Sequence, residues 1–190
     1  QQVLALFAVA DSVRPASAEA IDALKALGIR TLMLTGDNPH TAQAIAAKVG
    51  IDAVRANLLP QDKLDQIRSL VEAGSVVGMV GDGVNDAPAL ARANIGFAMG
   101  AAGSDTAIET ADVALMDDDL RKIPEFVRLS RKTAAVLKQN IGIALGIKLV
   151  FLVLTLTGWA TLWMAVFADM GASLIVVANG LRLLRTKTAK

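Results

Sequence analysis

Hydrophobicity is distributed very unevenly along the chain. Residues 141 to 181 include only two charged side chains, Lys148 and Asp169, whereas residues 1 to 137 alternate short apolar runs with charged segments. A long segment that is apolar on all sides needs lipid or a large protein core around it. We therefore predict a water-soluble part at residues 1–130, a linker at 131–140 and a membrane part beyond it.

The membrane part consists of two apolar stretches, 141–157 and 159–181, joined at Gly158. At about 1.5 Å per residue, each stretch approaches the roughly 30 Å of a hydrocarbon core, so they predict a transmembrane hairpin in the lipid bilayer. Basic residues lie outside both far ends, which places both ends, including the tail at 182–190, in the cytoplasm. These residues are Arg128, Arg131, Lys132 and Lys138 on one side, and Arg182, Arg185, Lys187 and Lys190 on the other.

The soluble part alternates apolar runs of strand length with helix-like segments. Ser17 can cap a helix that stops at Gly28, and Asn38 followed by Pro39 can open one that stops at Gly50. A third begins near Pro60 and ends at Gly74. This order predicts an α/β fold with a parallel sheet that is covered on both faces. The strand candidates are residues 4–10, 29–35, 76–80, 95–99 and 112–116.

Two of these runs end in polar loops, TGDN at 35–38 and GDGVNDAP at 81–88. Parallel sheets bind ligands at the carboxyl ends of their strands, and a helix N-terminus favours an anion. Carboxylates beside a phosphate site commonly hold a divalent cation, and Mg²⁺ suits one or two carboxylates with phosphate and water oxygens. Asp82 lies in the turn, and Asp86 is placed at a helix N-cap because Pro88 suits the first turn.

Each of these features also has an ordinary structural interpretation. Asp-Gly turns are common, Lys63 could be a solvated surface lysine rather than a phosphate ligand, and His40 is expected to have a surface or packing role.

Chain composition excludes some classes of function. The chain lacks cysteine and has a formal net charge of +1, so it has no thiolate metal site and no overall charge that favours nucleic acid.

The combination of TGDN, LLPQDK (58–63) and MVGDGVNDAPAL closely resembles the phosphorylation domain of P-type ATPases, which has a haloacid dehalogenase-like, Rossmann-like fold. The resemblance implies that Thr35 and Gly36 contact the phosphoryl group while Asp37 supports their loop. It implies that Lys63 stabilises the phosphoryl charge and that Asp82 ligates Mg²⁺. Asn85 and Asp86 would position the phosphate-bearing loop and complete the outer shell of that site.

One departure from the family is important. The phosphorylated aspartate of P-type ATPases lies in an Asp-Lys-Thr-Gly-Thr motif, which is absent here, as are the actuator and nucleotide-binding domains. We therefore expect the carboxy-terminal portion of a pump that is inactive alone. ATP would be bound mainly by the absent domain, and the partners would be the rest of the same pump and the bilayer, with no nucleic acid.

The two apolar segments resemble the last two helices of pumps that export zinc, cadmium and lead. Counted from Gly158, Lys148 and Asp169 lie at similar depth near the middle of the bilayer, where an unpaired charge is costly. The resemblance implies that Asp169 binds the transported ion and that Lys148 is a counter-charge. The alternative is a buried structural ion pair. The Cys-Pro-Cys ligands of the class would lie in an earlier helix, and the expected location is a cell membrane, the bacterial inner membrane.

Three other functions remain open at this stage. A copper pump is one, although Met-Gly-Ala follows Asp169 where copper pumps carry Met-Ser-Ser. A membrane-anchored haloacid dehalogenase-like phosphohydrolase is another, and Asp11 is its only candidate nucleophile at a strand end. A non-catalytic membrane interaction module is the third, but such a module has no need of Lys63, Asp82 and Asp86.

Overall fold

A computed structural model describes residues 13–82, 84–100 and 105–185 of the chain. Contacts divide the chain into two units, Gln1–Pro124 and Glu125–Lys190. The predicted strand at 4–10 and the candidate nucleophile Asp11 lie outside the described residues.

The first unit alternates helices and strands in the order that the sequence predicts. Its helices are α1 (Pro15–Ala26), α2 (Pro39–Val49), α3 (Pro60–Glu72), α4 (Ala87–Arg92) and α5 (Asp105–Thr110). Its strands are β1 (Leu32–Leu34), β2 (Ala53–Arg55), β3 (Gly78–Gly81), β4 (Ile95–Met99) and β5 (Val113–Leu115). The sequence did not predict β2, because three residues with a single buried-type side chain carry no periodic signal.

All strand pairs in the described residues are parallel, as predicted. Strand β1 pairs with β2, and a three-stranded sheet has the order β3-β4-β5. Neighbouring residues in β4 point to opposite faces, and both faces are covered. Ala98 belongs to an apolar cluster with Ile67 of α3 and Leu90 of α4, whereas Phe97 packs with Leu115 and with Leu24 of α1.

The sequence correctly predicts both ends of helix α2. The Asn38 side chain accepts a hydrogen bond from Thr41 N at 2.9 Å, and Gly50 adopts the left-handed conformation that ends many helices. His40 is exposed in the first turn.

The prediction that Ser17 caps α1 was wrong. The helix begins two residues earlier, at Pro15, because proline is favourable in a first turn.

Asp52 holds together the starts of the paired strands β1 and β2. Its carboxylate accepts hydrogen bonds from the Thr31 amide and hydroxyl, both at 2.8 Å, and an ion pair from Lys25 at 3.0 Å. The Thr31 amide and then the Lys25 ammonium hold the pKa of the Asp52 carboxyl at about 2. The strand ends are therefore joined by a charge-dependent contact.

The second unit is formed by two long helices. Helix α6 (Lys122–Leu156) begins at the end of the first unit and includes residues 131–140, the predicted linker, as continuous helix. A turn with Gly158 at φ +76° follows, and α7 (Leu162–Leu181) starts after Thr161, whose hydroxyl accepts a hydrogen bond from Met164 N. A 3₁₀ turn at Arg182–Arg185 ends the described chain.

Both helices are long and apolar enough to cross a membrane by length and composition. They expose large apolar side chains on most sides, and Leu156 and Trp159 at the turn are each 79% exposed. Exposed apolar surface of this extent distinguishes them from the core helices of a soluble protein.

Candidate functional site

The loop after β1 is braced by its own side chains and by the segment before α3. The Thr35 hydroxyl donates to Asp37 Oδ2 at 2.8 Å and accepts from the Asp37 amide at 3.1 Å. The amides of Asn57 and Leu58 donate to the carbonyls of Asp37 and Thr35 at 2.8 and 3.0 Å. At Gly36 an added Cβ would lie 3.3 Å from the Leu58 carbonyl, so the two segments approach closely. The loop is therefore held in place before any ligand arrives.

Lys63 lies on α3, the helix that follows the Asn57–Leu58 segment, and it contacts the region after β3. It lies in the first turn of α3, and its Nζ is 2.8 Å from Asp86 Oδ1. The two side chains are only 18% and 12% exposed. Lys63 is thus not a solvated surface lysine. A positive charge such as that of Lys63 is unfavourable near a helix N-terminus. The neighbouring Asp62 compensates with a negative charge, and its carboxylate accepts a hydrogen bond from the Leu59 amide at 2.8 Å.

Asp86 occupies the N-cap position of α4, as predicted, but its side chain makes no capping hydrogen bond. The carboxylate is directed to Lys63 instead, because a largely buried carboxylate is stabilised more strongly by a charged partner than by a neutral backbone amide. Gly81 makes this placement possible. A Cβ on Gly81 would lie 2.7 Å from Asp86 Cβ and 3.0 Å from Asp86 Oδ2.

Asp82 and Asn85 are exposed next to this ion pair. Asp82 directly follows β3 and lines a cavity of about 260 Å³ together with Arg14, Ser17 and Asp118. In the described residues, no hydrogen bond joins Asp82 to Asp86 or Lys63. The structure therefore brings Thr35 together with Asp37, and Lys63 with Asp86, while the exposed Asp82 has no ion pair with another of the described residues.

Asp82 fits a magnesium ion by the chemistry of its surroundings. Within the described ranges no group of three or more His, Cys, Asp or Glu side chains forms a metal site. Mg²⁺ does not require one, because it commonly takes one or two carboxylates and completes its shell with phosphate and water oxygens. An exposed carboxylate at the end of a parallel strand meets that need.

The second candidate site lies on the helix hairpin. Ile147 of α6 and Ala168 of α7 line one groove between the helices, and Lys148 and Asp169 follow them by one residue. One residue turns a helix by about 100°, and in an antiparallel pair these two rotations bring both side chains to the same side of the hairpin. Both are exposed, and no ion pair joins them in the part of the chain that the structure describes.

Polar contacts also tie the two helices near their far ends. Asn179 Nδ2 donates to Asn140 Oδ1 at 2.8 Å and lies 3.4 Å from Gln139 Oε1. Asn179 Oδ1 in turn accepts from Arg182 Nη1 at 2.9 Å.

Comparison of this chain with known proteins indicates one family. A model of the haloacid dehalogenase-like hydrolases matches residues 1–94. A probable cadmium-transporting ATPase of Listeria monocytogenes is 57% identical over 188 residues, covering 98% of this chain and 26% of the relative. The chain belongs to the P-type ATPase family. This assignment confirms the resemblance that the motifs indicated, and the family fold agrees with the parallel sheets.

Other P-type ATPases show the same relation. A zinc/cadmium/lead-transporting P-type ATPase of Shigella sonnei is 49% identical over 185 residues, covering 97% of this chain and 25% of the relative. A solved structure of a zinc-transporting PIB-type ATPase in the E2.Pi state superposes with a TM-score of 0.87 at 49% identity, covering 92% of this chain and 28% of that one. The chain thus spans about a quarter of the length of these P-type ATPases.

Several contacts in this P-type ATPase chain could not be found from the sequence. Gly81 is visible in the motif, but its need to remain glycine depends on the position of Asp86. Asn140 and Asn179 are 39 residues apart and share no motif. Asp118 carries a φ of +50° and shares the Asp82 cavity, and only the tertiary structure reveals this.

Proposed function

We propose that this chain forms most of the phosphorylation domain and two membrane helices of an ATP-driven pump that exports divalent heavy-metal ions, Zn²⁺, Cd²⁺ or Pb²⁺. The pump would pass through an aspartyl-phosphate whose aspartate lies outside this chain. The observation that carries the proposal is the partly buried Lys63–Asp86 pair, and the bracing of the Thr35 loop by Asp37 supports it. The names of the cadmium- and zinc-transporting relatives support the metal class.

In this proposal Lys63 holds a phosphoryl oxygen while it keeps Asp86. An ammonium group has three donors, and Asp86 uses one of them. Asp86 therefore fixes the position of the Lys63 charge, and Lys63 stabilises negative charge on the transferred group. Asn85, exposed beside Asp86, helps to position the phosphate-bearing loop of the pump.

The Thr35 loop contributes the second contact to the phosphoryl group. Thr35 directs its hydroxyl proton to Asp37, and a phosphoryl oxygen would replace that carboxylate as acceptor. Gly36 has no side chain, so its backbone would be able to approach the same oxygen closely. Asp82 would hold Mg²⁺, which supplies positive charge against the phosphoryl oxygens when bound. ATP would be held mainly by a nucleotide-binding domain outside this chain.

On the hairpin, Asp169 binds the transported ion and Lys148 is the counter-charge. A carboxylate suits divalent ions, whereas copper(I) prefers sulfur ligands. The placement of both side chains on one side of the hairpin supports a shared site, completed by Cys-Pro-Cys on an earlier helix. After release of the ion, Lys148 would pair with Asp169 and discourage rebinding.

The proposed location is the cell membrane, a bacterial inner membrane, with the phosphorylation domain and the carboxy terminus in the cytoplasm. The basic residues at the far ends of both helices support this orientation. The partners would be the bilayer, an actuator domain and the remaining membrane helices of the pump.

The test is zinc-stimulated ATP hydrolysis by the full pump in proteoliposomes. We expect Asp169→Ala to abolish the stimulation, and Lys148→Ala to allow phosphorylation by ATP but to impair release. Undiminished stimulation in Asp169→Ala would refute the metal site. Stimulation by copper(I) in preference to zinc would assign the pump to the copper class.

A phosphohydrolase is the second candidate, because the matching family model describes hydrolases. It would use Asp11 as its nucleophile and would act without the rest of a pump. The purified chain would be incubated with p-nitrophenyl phosphate. Turnover that Asp11→Asn abolishes would favour this function over the pump.

A further inference from the structure

The hairpin carries a polar contact that the proposed pump function does not use. Asn179 of α7 reaches α6 through Nδ2, at 2.8 Å from Asn140 Oδ1 and 3.4 Å from Gln139 Oε1. Its own Oδ1 accepts from Arg182 Nη1 at 2.9 Å. Since Arg182 holds the oxygen end, the nitrogen end of the amide is directed towards α6. Asn140 and Asn179 are both half-buried.

The rest of the interface offers little to fix one helix against the other. Between the Asn140–Asn179 contact and the Gly158 turn lies a groove of about 460 Å³. Its walls are apolar or small side chains, among them Ile147, Phe151, Phe167 and Ala172. In lipid such side chains gain almost nothing by facing each other rather than acyl chains, so they allow one helix to slide or rotate against the other. A directional hydrogen bond between the helices restricts both movements.

The same contact determines the relative depth of the two charges. Lys148 follows Asn140 by eight residues and Asp169 precedes Asn179 by ten, in helices that run in opposite directions. At about 1.5 Å per residue the two charges lie roughly 12 and 15 Å from the amide contact, within one helical turn of each other. A slip of one turn, about 5.4 Å, would separate them.

We propose that Asn140 and Asn179 form an amide clamp that sets the register of α6 against α7, and so brings Lys148 and Asp169 to one depth and one side of the hairpin. This inference rests on the proposed function of those two charges. Asn140 and Asn179 are positioning residues. They touch neither the transported ion nor the phosphoryl group, and they act through the geometry of the ion site.

The test compares Asn140→Leu, Asn179→Leu and the double variant in the full pump. Leucine keeps the side-chain volume and removes the hydrogen bond. We expect the zinc concentration for half-maximal ATP hydrolysis to rise about threefold or more, since an average interhelical hydrogen bond in a membrane corresponds to roughly a threefold change in an equilibrium constant. If the two residues act through one bond, the double variant is no worse than either single one.

Two controls separate positioning from a loss of fold. Thr155→Val removes a side-chain hydrogen bond of α6 that stays within one helix, since the Thr155 hydroxyl donates to Phe151 O. Zinc activation should therefore not change in this variant. Phosphorylation by inorganic phosphate with Mg²⁺, without zinc, should be normal in all variants. If Asn179→Leu and the milder Asn179→Ser both lose it, these residues serve the fold and the proposal is overturned.

Asp169→Ala, measured in parallel, distinguishes a failure of the ion site from a failure of the amide clamp. If it keeps zinc stimulation, the proposed ion site is wrong and the clamp has nothing to position. If it loses stimulation while both leucine variants retain the normal zinc dependence, the ion site stands and the clamp is refuted. A raised half-maximal zinc concentration with non-additive effects supports the clamp.

Discussion

Lys63 Nζ and Asp86 Oδ1 lie 2.8 Å apart, between residues separated by 23 positions in the chain. The contact joins the first turn of α3 to the start of α4, and both side chains are mostly withdrawn from water. Replacing only one member of such a pair destabilises the fold, because the other charge stays buried without a partner.

We predict that Lys63→Met destabilises the first unit by about 1–3 kcal/mol, since it leaves the Asp86 carboxylate partly buried without a cation. The double variant Lys63→Met with Asp86→Leu should recover part of this loss. Hydrogen exchange of the amides in β3 and α4 reports the change directly. Equal protection in the single and double variants would contradict the prediction.

Gly81→Ala should displace Asp86, because the new Cβ would lie 2.7 Å from Asp86 Cβ. We expect a destabilisation of about 1–3 kcal/mol, as for other overpacked sites, together with a loss of phosphorylation in the full pump. Gly78→Ala in the same strand is the matched control. Its Cβ would meet Ile95 and Phe97 side-chain atoms at 3.5 and 3.6 Å, which are ordinary contacts. If both variants behave alike, crowding at Asp86 is not the cause.

Asp82→Asn should remove Mg²⁺-dependent phosphorylation of the full pump while the fold keeps its stability to within about 0.5 kcal/mol, because the side chain is exposed. Phosphorylation is measured with radiolabelled ATP over a range of Mg²⁺ concentrations. Asp65→Asn, which changes an exposed acid on α3, should leave the Mg²⁺ dependence unchanged. Normal phosphorylation of Asp82→Asn would rule out its role as the Mg²⁺ ligand.

The Asp52 contact predicts a pH dependence of stability. The folded pKa of about 2 lies below the ordinary aspartate value, so the carboxylate stabilises the folded chain above roughly pH 4, and this contribution is lost as the pH falls towards 2. Asp52→Asn should therefore lower the melting temperature at pH 7 and have little effect near pH 2. Glu72→Gln, which changes an exposed pair with Arg92, is the control. A pH-independent effect of Asp52→Asn would contradict the assignment.

Much of the architecture could be predicted because its signals are local. Asn38 and Gly50 mark the ends of α2, and the polar loops follow β1 and β3 as the sequence predicts. Strand β2 escaped prediction, since Ala53–Arg55 is too short to show a period and is held by its pairing with β1. The prediction for Ser17 failed because Pro15 begins the helix first.

The sequence by itself determined the separation into a part with charged segments and an apolar part, the parallel α/β order and the choice of candidate site residues. Those properties follow from hydrophobic periodicity, turn residues and motif spacing, which neighbouring residues encode. Only the tertiary structure decided that Asp86 faces Lys63 rather than its own helix, that Gly81 must be small, and that Asn179 reaches Asn140. Each of these depends on atoms far apart in the chain, whose approach is set by packing rather than by local preference.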